Sequence, residues 1–219
     1  MPATPPLTIE IVSDVMCPWC YIGKRRLETA LESLPDMKVE VSWLPYQLDA
    51  TLPKTGKDRQ QYLEDKFGGP ENARTAYAPI RQSGAEEGIA FEFDAIQKSP
   101  NTLDSHRLLH WAKEDGKQNA LAEALFAAYF THGRDLTLPE TLAEIAGSCG
   151  MDPTRTLQRL MGEEDRQVIE EQIASAHQMG VSGVPFFVID QRFALSGAQP
   201  AETLAAALRH AEETRTQEL

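Results

Sequence analysis

Cys17-Pro18-Trp19-Cys20 is the stretch of this 219-residue chain whose residue types and spacing could do chemistry. An apolar run, Leu7 to Val12, precedes it, and a helical pattern begins at the first cysteine. A strand therefore delivers two thiols to the start of a helix. Backbone N–H groups are unpaired there and the helix dipole favours negative charge, so a thiolate at Cys17 would be stabilised by the backbone. Taken alone, the pair is open to dithiol exchange, metal binding or a chance meeting of two core cysteines. Structural zinc would need two further ligands, yet no second Cys-x-x-Cys exists and Cys149 stands far along the chain.

The remaining composition narrows the partners. A formal net charge of −12 argues against nucleic acid, since no basic field offsets phosphate repulsion. Lys24-Arg25-Arg26, the densest basic cluster, reads as a solvated face, although any of the three that approached Cys17 would add to its stabilisation. No stretch approaches the roughly 20 apolar residues of a membrane span. Met1 to Thr8 holds three prolines and no apolar core, so it does not read as a secretory signal, and the chain is expected in the cytoplasm. In a reducing compartment a close cysteine pair is redox-catalytic or metal-binding more often than structural.

The elements around the pair follow from periodicity. Residues 7–14 read as a buried strand, residues 17–34 as a helix with Pro18 in its first turn and Pro35 beyond it, and Lys38 to Tyr46 as a second strand closed by Pro45. That is a βαβ unit, with parallel strands and a right-handed crossover. From about Lys57 to Gly180 the pattern is an all-helical block of roughly six helices. Glu71 to Glu87 should be interrupted near Pro79 and Gly84, Asn119 should cap the run through Phe130, Asp152-Pro153 should open a helix, and Glu163 to Met179 should form another. Strands return at Val184 to Asp190 and Phe193 to Ser196 around an Asp190-Gln191 turn; Pro200 to Ala211 closes the fold, and Glu212 to Leu219 reads as a frayed tail. Neither end has enough strands to stand alone. One mixed sheet is therefore expected from residues 1–50 and 181–219, with residues 51–180 as a helical insertion.

Four motifs in order now carry a resemblance. Ser13 through Gly23, Ser99-Pro100-Asn101-Thr102 with His106-Arg107-Leu108, Gly183 through Phe187, and Ser196-Gly197-Ala198-Gln199 resemble the FrnE-like branch of the DsbA superfamily, over nearly the whole chain. The resemblance implies an α/β, thioredoxin-like fold with a large all-helical insertion. It also implies a thiol–disulfide oxidoreductase or isomerase exchanging with a dithiol or disulfide substrate, protein or small molecule. Cys17 would be the exposed nucleophile and Cys20 the resolving thiol. Val184-Pro185 matches the family's cis-proline, beside the cysteines. Pro18, Trp19, Val184, Pro185 and Asn101 would contact substrate; no cofactor would be tightly bound, and glutathione would be a redox partner or co-substrate. One departure stands out: the buried acid usual six residues before the first cysteine is Ile11 here, and Glu10 should face the other side of the strand.

Related kappa-class glutathione transferases and 2-hydroxychromene-2-carboxylate isomerases share the Asn-Thr and Val-Pro motifs, so a glutathione-dependent isomerase or transferase is the alternative function. They commonly carry serine where Cys17 stands, so the intact pair favours exchange. A partner-binding module using the groove between sheet and helices is a third reading that nothing in the sequence requires. Elsewhere, bland roles prevail. Cys149 follows Leu142 at i+7 and reads as a buried core thiol. His106 and His110 share a helix face without further ligands, which points to packing or surface. Asn101 and Thr102 are first of all a helix cap.

Overall fold

A computed structural model describes residues 5–216. Its centre is β1 (Leu7–Ser13), whose Leu7, Ile9 and Ile11 are almost fully buried. After α1 (Pro18–Glu32), β2 (Val39–Pro45) lies parallel to β1 in the register Ile9 to Val41 and Ile11 to Trp43. The chain returns to this sheet only at β5 (Phe186–Ile189), antiparallel to β1, followed by β6 (Phe193–Ser196). Strand order is β2-β1-β5-β6, the mixed sheet expected from the two ends. The Asp190-Gln191 turn has positive φ at both residues, which suits the right-handed twist of a hairpin.

Between β2 and β5 the helical reading holds, with corrections. A two-stranded ribbon, β3 (Lys57–Asp58) and β4 (Lys98–Ser99), was not legible because two-residue strands carry no alternation. The helices number seven: α2 (Arg59–Phe67), α3 (Pro70–Glu86), α4 (Leu103–Glu114), α5 (Gln118–Phe130), α6 (Pro139–Ser148), α7 (Pro153–Met161) and α8 (Arg166–Gln178). Neither Pro79 nor Gly84 interrupts α3. Gly84 serves packing: a Cβ there would lie 2.3 Å from the Phe91 ring. Asp152 caps α7 as expected, accepting from Thr154 and Arg155 N–H. Asn119 does not cap α5, which begins one residue earlier; its amide oxygen accepts from Trp43 Nε1 at 3.2 Å instead. The start of α8 is Arg166 rather than Glu163. The final helix, α9 (Ala201–Thr216), runs past Ala211, so the tail reading fails through residue 216, and residues 217–219 lie outside the described residues. The first half of the Met1–Thr8 stretch, residues 1–4, likewise lies outside them.

Buried polar bonds tie the helices to the sheet. Gln118 of α5 treats β2 as a neighbouring strand would: its Oε1 accepts from Trp43 N–H at 2.8 Å and its Nε2 donates to Trp43 C=O at 3.0 Å. A sheet edge covered by helices is thereby satisfied. Arg107, fully buried in α4, donates to Asp104 and to the carbonyls of Arg159, Leu160, Gly162 and Glu164, collecting the loose end of α7. The Lys24-Arg25-Arg26 cluster is no solvated face. Lys24 is 2 % exposed and pairs with Glu123 of α5 at 2.9 Å, Arg25 pairs with the same carboxylate, and Arg26 pairs with Glu87 and donates to Ala198 C=O, both at 2.7 Å. The charges point at acids from later helices, which sequence spacing alone does not disclose. Cys149 is half-buried at the C-cap of α6 rather than a core thiol, because the helix ends one residue before it.

Replacing Gln118 by Leu strands the Trp43 N–H and C=O, each buried group costing about 1–3 kcal/mol when unpaired. Urea unfolding of Gln118→Leu should therefore show a loss of about 2–5 kcal/mol. A loss below about 1 kcal/mol would mean that β2 does not depend on this side chain.

Candidate active site

The C-terminal end of β1 hands the chain to a short turn in which Cys17 N–H bonds Asp14 C=O at 3.0 Å. Cys17 is the N-cap of α1, with extended backbone and Pro18 in the first turn, as the sequence predicts. Its thiol caps nothing in the helix; it points to the Val184 carbonyl, with Sγ 3.5 Å from the oxygen. The Val184-Pro185 peptide bond is cis. Gly23, on the next turn of α1, allows this approach, since a Cβ there would lie 2.9 Å from Pro185 Cγ and 3.2 Å from Phe187 Cζ. Two segments far apart in sequence thus wall the same sulfur.

The two thiols differ in access. Cys17 is not the exposed nucleophile of the sequence reading: it is recessed at 4 % exposure, with Val15 and Met16 in the same apolar cluster and half-buried Trp19 and Val184 packed against it. Cys20 is fully buried, and both are free. Burial pushes the Cys20 thiol well above its ordinary pKa, and neighbouring Cys17 raises it further; the Ser13 hydroxyl and the Asp14 backbone act the other way. An apolar Ile11 sits where an acid was expected.

Asp14 was not singled out in the sequence, yet it is the fully buried acid of this region. Its carboxylate accepts from Met16 N–H at 3.3 Å and from Leu48 N–H at 2.7 Å, and it lies 3.7 Å from His106 Nε2. His106 is buried and bonds the Tyr46 carbonyl at 2.8 Å. Asn101 binds within the chain: its side chain accepts from Gln47 and from Leu103 N–H and donates to Leu52 C=O at 2.7 Å, fastening the 47–52 segment to the start of α4. Thr102 is the N-cap residue, but its side chain makes no capping bond.

A second group without a sequence signal comes from the insertion. Arg59, 5 % exposed, donates to the hydroxyls of Tyr77, Tyr129 and Ser99, and its Nε has no partner among the described residues. Burial raises the Tyr77 pKa, the Arg59 charge lowers it, and Cys17 raises it. Arg59 and Tyr77 also line a cavity of about 450 Å³ bounded by α2 and α3. Among the described residues no cluster of His, Cys, Asp and Glu could hold a metal ion, and no helix is long and apolar enough to cross a membrane.

Residues 8–209 match the family model of the DSBA-like thioredoxin domain. A solved structure of a probable DsbA oxidoreductase from Streptomyces coelicolor is 34 % identical and superposes with a TM-score of 0.85, covering 94 % of this chain and 90 % of the other. The uncharacterized protein YwbO of Bacillus subtilis is 24 % identical over 182 residues, 83 % of this chain and 86 % of its own. A 2-hydroxychromene-2-carboxylate isomerase structure shares the fold at 14 % identity, with a TM-score of 0.72 over 97 % of this chain and 99 % of its own.

The raised pKa of Cys20 makes stability depend on pH in a defined sense. An ordinary thiol ionises near pH 8.5, so the unfolded chain releases this proton before the folded one does. The stabilisation is complete below that pH and is lost as pH rises through the folded value. Urea midpoints of the reduced protein should fall between about pH 8.5 and 10, below the range of the raised tyrosines Tyr21 and Tyr62 near 12, and Cys20→Ala should flatten the profile. Equal slopes in both proteins would assign the effect elsewhere.

Proposed function

We propose that this chain, which belongs to the family of DSBA-like thioredoxin domains, is a thiol–disulfide oxidoreductase or isomerase working through Cys17 and Cys20. The observation that carries the reading is an N-cap thiol aimed at Val184 C=O, with a second, fully buried thiol in the first turn of the same helix. Cys17, at the N-cap of α1, is the nucleophile and reacts as the thiolate. Its sulfur attacks a substrate disulfide, one substrate thiolate leaves, and a mixed disulfide forms. Cys20 then loses its proton and bonds to Cys17, and the second substrate thiolate departs with the electron pair of the broken bond. The substrate gains two electrons and the dithiol loses two; reversal oxidises a substrate dithiol.

The substrate in this reading lies against Pro18, Trp19, Val184 and Pro185, with Asn101 supporting the wall through the 47–52 segment. The partner is a dithiol or disulfide, with glutathione as the thiol that resets the pair and no tightly bound cofactor. A third, unpaired thiol at Cys149 agrees with work in the reducing cytoplasm.

Reduction of insulin or of a small aromatic disulfide tests the reading. Cys17→Ser should lower turnover by about a thousandfold or more, and Cys20→Ala should accumulate a mixed disulfide visible by mass spectrometry. Turnover surviving Cys17→Ser overturns dithiol chemistry. Glutathione-dependent isomerisation of an aromatic substrate by Cys20→Ala would favour the isomerase or transferase alternative.

A further inference from the structure

The helical insertion holds a charge that dithiol exchange does not use. Arg59, the first residue of α2, is 5 % exposed, and among the described residues its guanidinium bonds only hydroxyls: Tyr77 at 2.7 Å, Tyr129 at 3.3 Å and Ser99 at 3.4 Å. These bonds do not use every N–H of the group, and Nε is left without a partner. The ring faces of Tyr77 and Tyr129, 5.6 and 5.8 Å from the guanidinium carbon, supply part of the compensation that water would give. A buried cation ordinarily meets an acid as well. Lys24 and Arg107, buried as deeply, do so, with Glu123 at 2.9 Å and Asp104 at 2.8 Å. Arg59 has no such counter-ion among the described residues.

The same side chain lines the cavity of about 450 Å³ between α2 and α3, a volume within the range of small-molecule sites. Leu63, Ala73, Phe93 and Ile96 give it apolar walls, the last three buried, and Arg74 and Arg81 stand exposed along its lining. The acids of the lining are engaged elsewhere: Asp58 accepts from Gln61 N–H at 2.9 Å, Glu64 from Gln60 Nε2 at 2.8 Å, and Asp94 pairs with Arg81 at 3.4 Å. Neither cysteine lines the cavity, nor does Trp19, Val184 or Pro185, so it stands apart from the dithiol. We propose that this cavity binds a small organic acid, its carboxylate meeting Arg59 and its apolar body lying among Leu63, Ala73 and Phe93. A guanidinium fork matches a carboxylate in shape and supplies the charge-assisted hydrogen bonds that favour an anion over a neutral isostere. The apolar walls favour an organic acid over an inorganic anion, which would leave them uncovered. Asp58, Glu64 and Asp94 disfavour a polyanion, because the buried cation balances one negative charge while these carboxylates repel the rest. The inference does not depend on dithiol exchange.

Isothermal titration calorimetry of the full chain with 4-phenylbutyrate tests the site, with 4-phenylbutyramide as the uncharged control. The acid should bind saturably at a single site, and the amide should bind more weakly by about tenfold or more. Ala73→Phe fills the cavity and removes no hydrogen-bonding group, and it should weaken the acid by about tenfold or more. Arg59→Gln should bind acid and amide alike. Cys17→Ser should bind the acid within about twofold of the parent, since additivity holds between separate sites. No saturation by about 10 mM acid overturns the proposal, as do equal affinities for acid and amide in the parent or unchanged binding in Ala73→Phe. Loss of binding in Cys17→Ser also overturns it, placing the ligand at the dithiol instead. The acid-to-amide comparison needs no variant and carries the test if Arg59→Gln or Ala73→Phe fails to fold.

Discussion

The register between β1 and β5 is the constraint on which the site depends. Pairing Ile11 with Phe187 and Val12 with Phe186 brings the Val184-Pro185 peptide to the end of β1 where the chain turns into Cys17. A shift by one residue would turn Phe187 and Ile189, both fully buried, out of the core, so core packing and site geometry are fixed by the same pairing. The parallel pairing of β1 with β2 does the same on the other side, placing Tyr46 N–H on Ser13 C=O at 3.0 Å and Leu48 N–H on Asp14. The Cys17 thiol is positioned here by hydrophobic burial acting at a distance from it.

Polar groups inside this protein are expensive unless matched, and the matches follow a pattern. Lys24 and Arg25 of α1 reach an acid on α5 and Arg26 one just beyond α3; Arg107 gathers carbonyls from the end of α7; Gln118 completes the edge of β2. Gln118 ties the inserted helices to the sheet, Lys24 and Arg25 tie them to α1, and Arg107 joins two of them to each other. Arg59 is the exception, a buried cation whose hydrogen-bond partners are the neutral hydroxyls of Ser99, Tyr77 and Tyr129.

Sequence periodicity was sufficient for the four strands of the main sheet, the hairpin turn at Asp190-Gln191 and the placing of Cys17 at a helix start, because each of these is written in local alternation, proline position or capping chemistry. It failed where the determinant lay far off in the chain. The basic triplet reads as solvated until Glu87 and Glu123 are seen beside it. Asp14 reads as a strand terminator, and nothing local announces that Leu48 and His106 converge on it. Gly84 reads as a break in α3 because Phe91, which needs the space, is on the following segment. The recess of Cys17 was missed for the same reason: the Val184 wall comes from the other end of the sequence.

Gln118 spans the outer edge of β2 at Trp43 with a side chain in place of a further strand. A sheet built from the two ends of the chain thus has one edge closed by a helix from the middle of the sequence. Synthesis from the N-terminus exposes β1 and β2 long before β5 exists to cover the other edge of β1, and before α5 exists to close β2. During that interval the growing chain carries a pair of sticky strands, and its safe passage depends on how quickly the helices between them arrive.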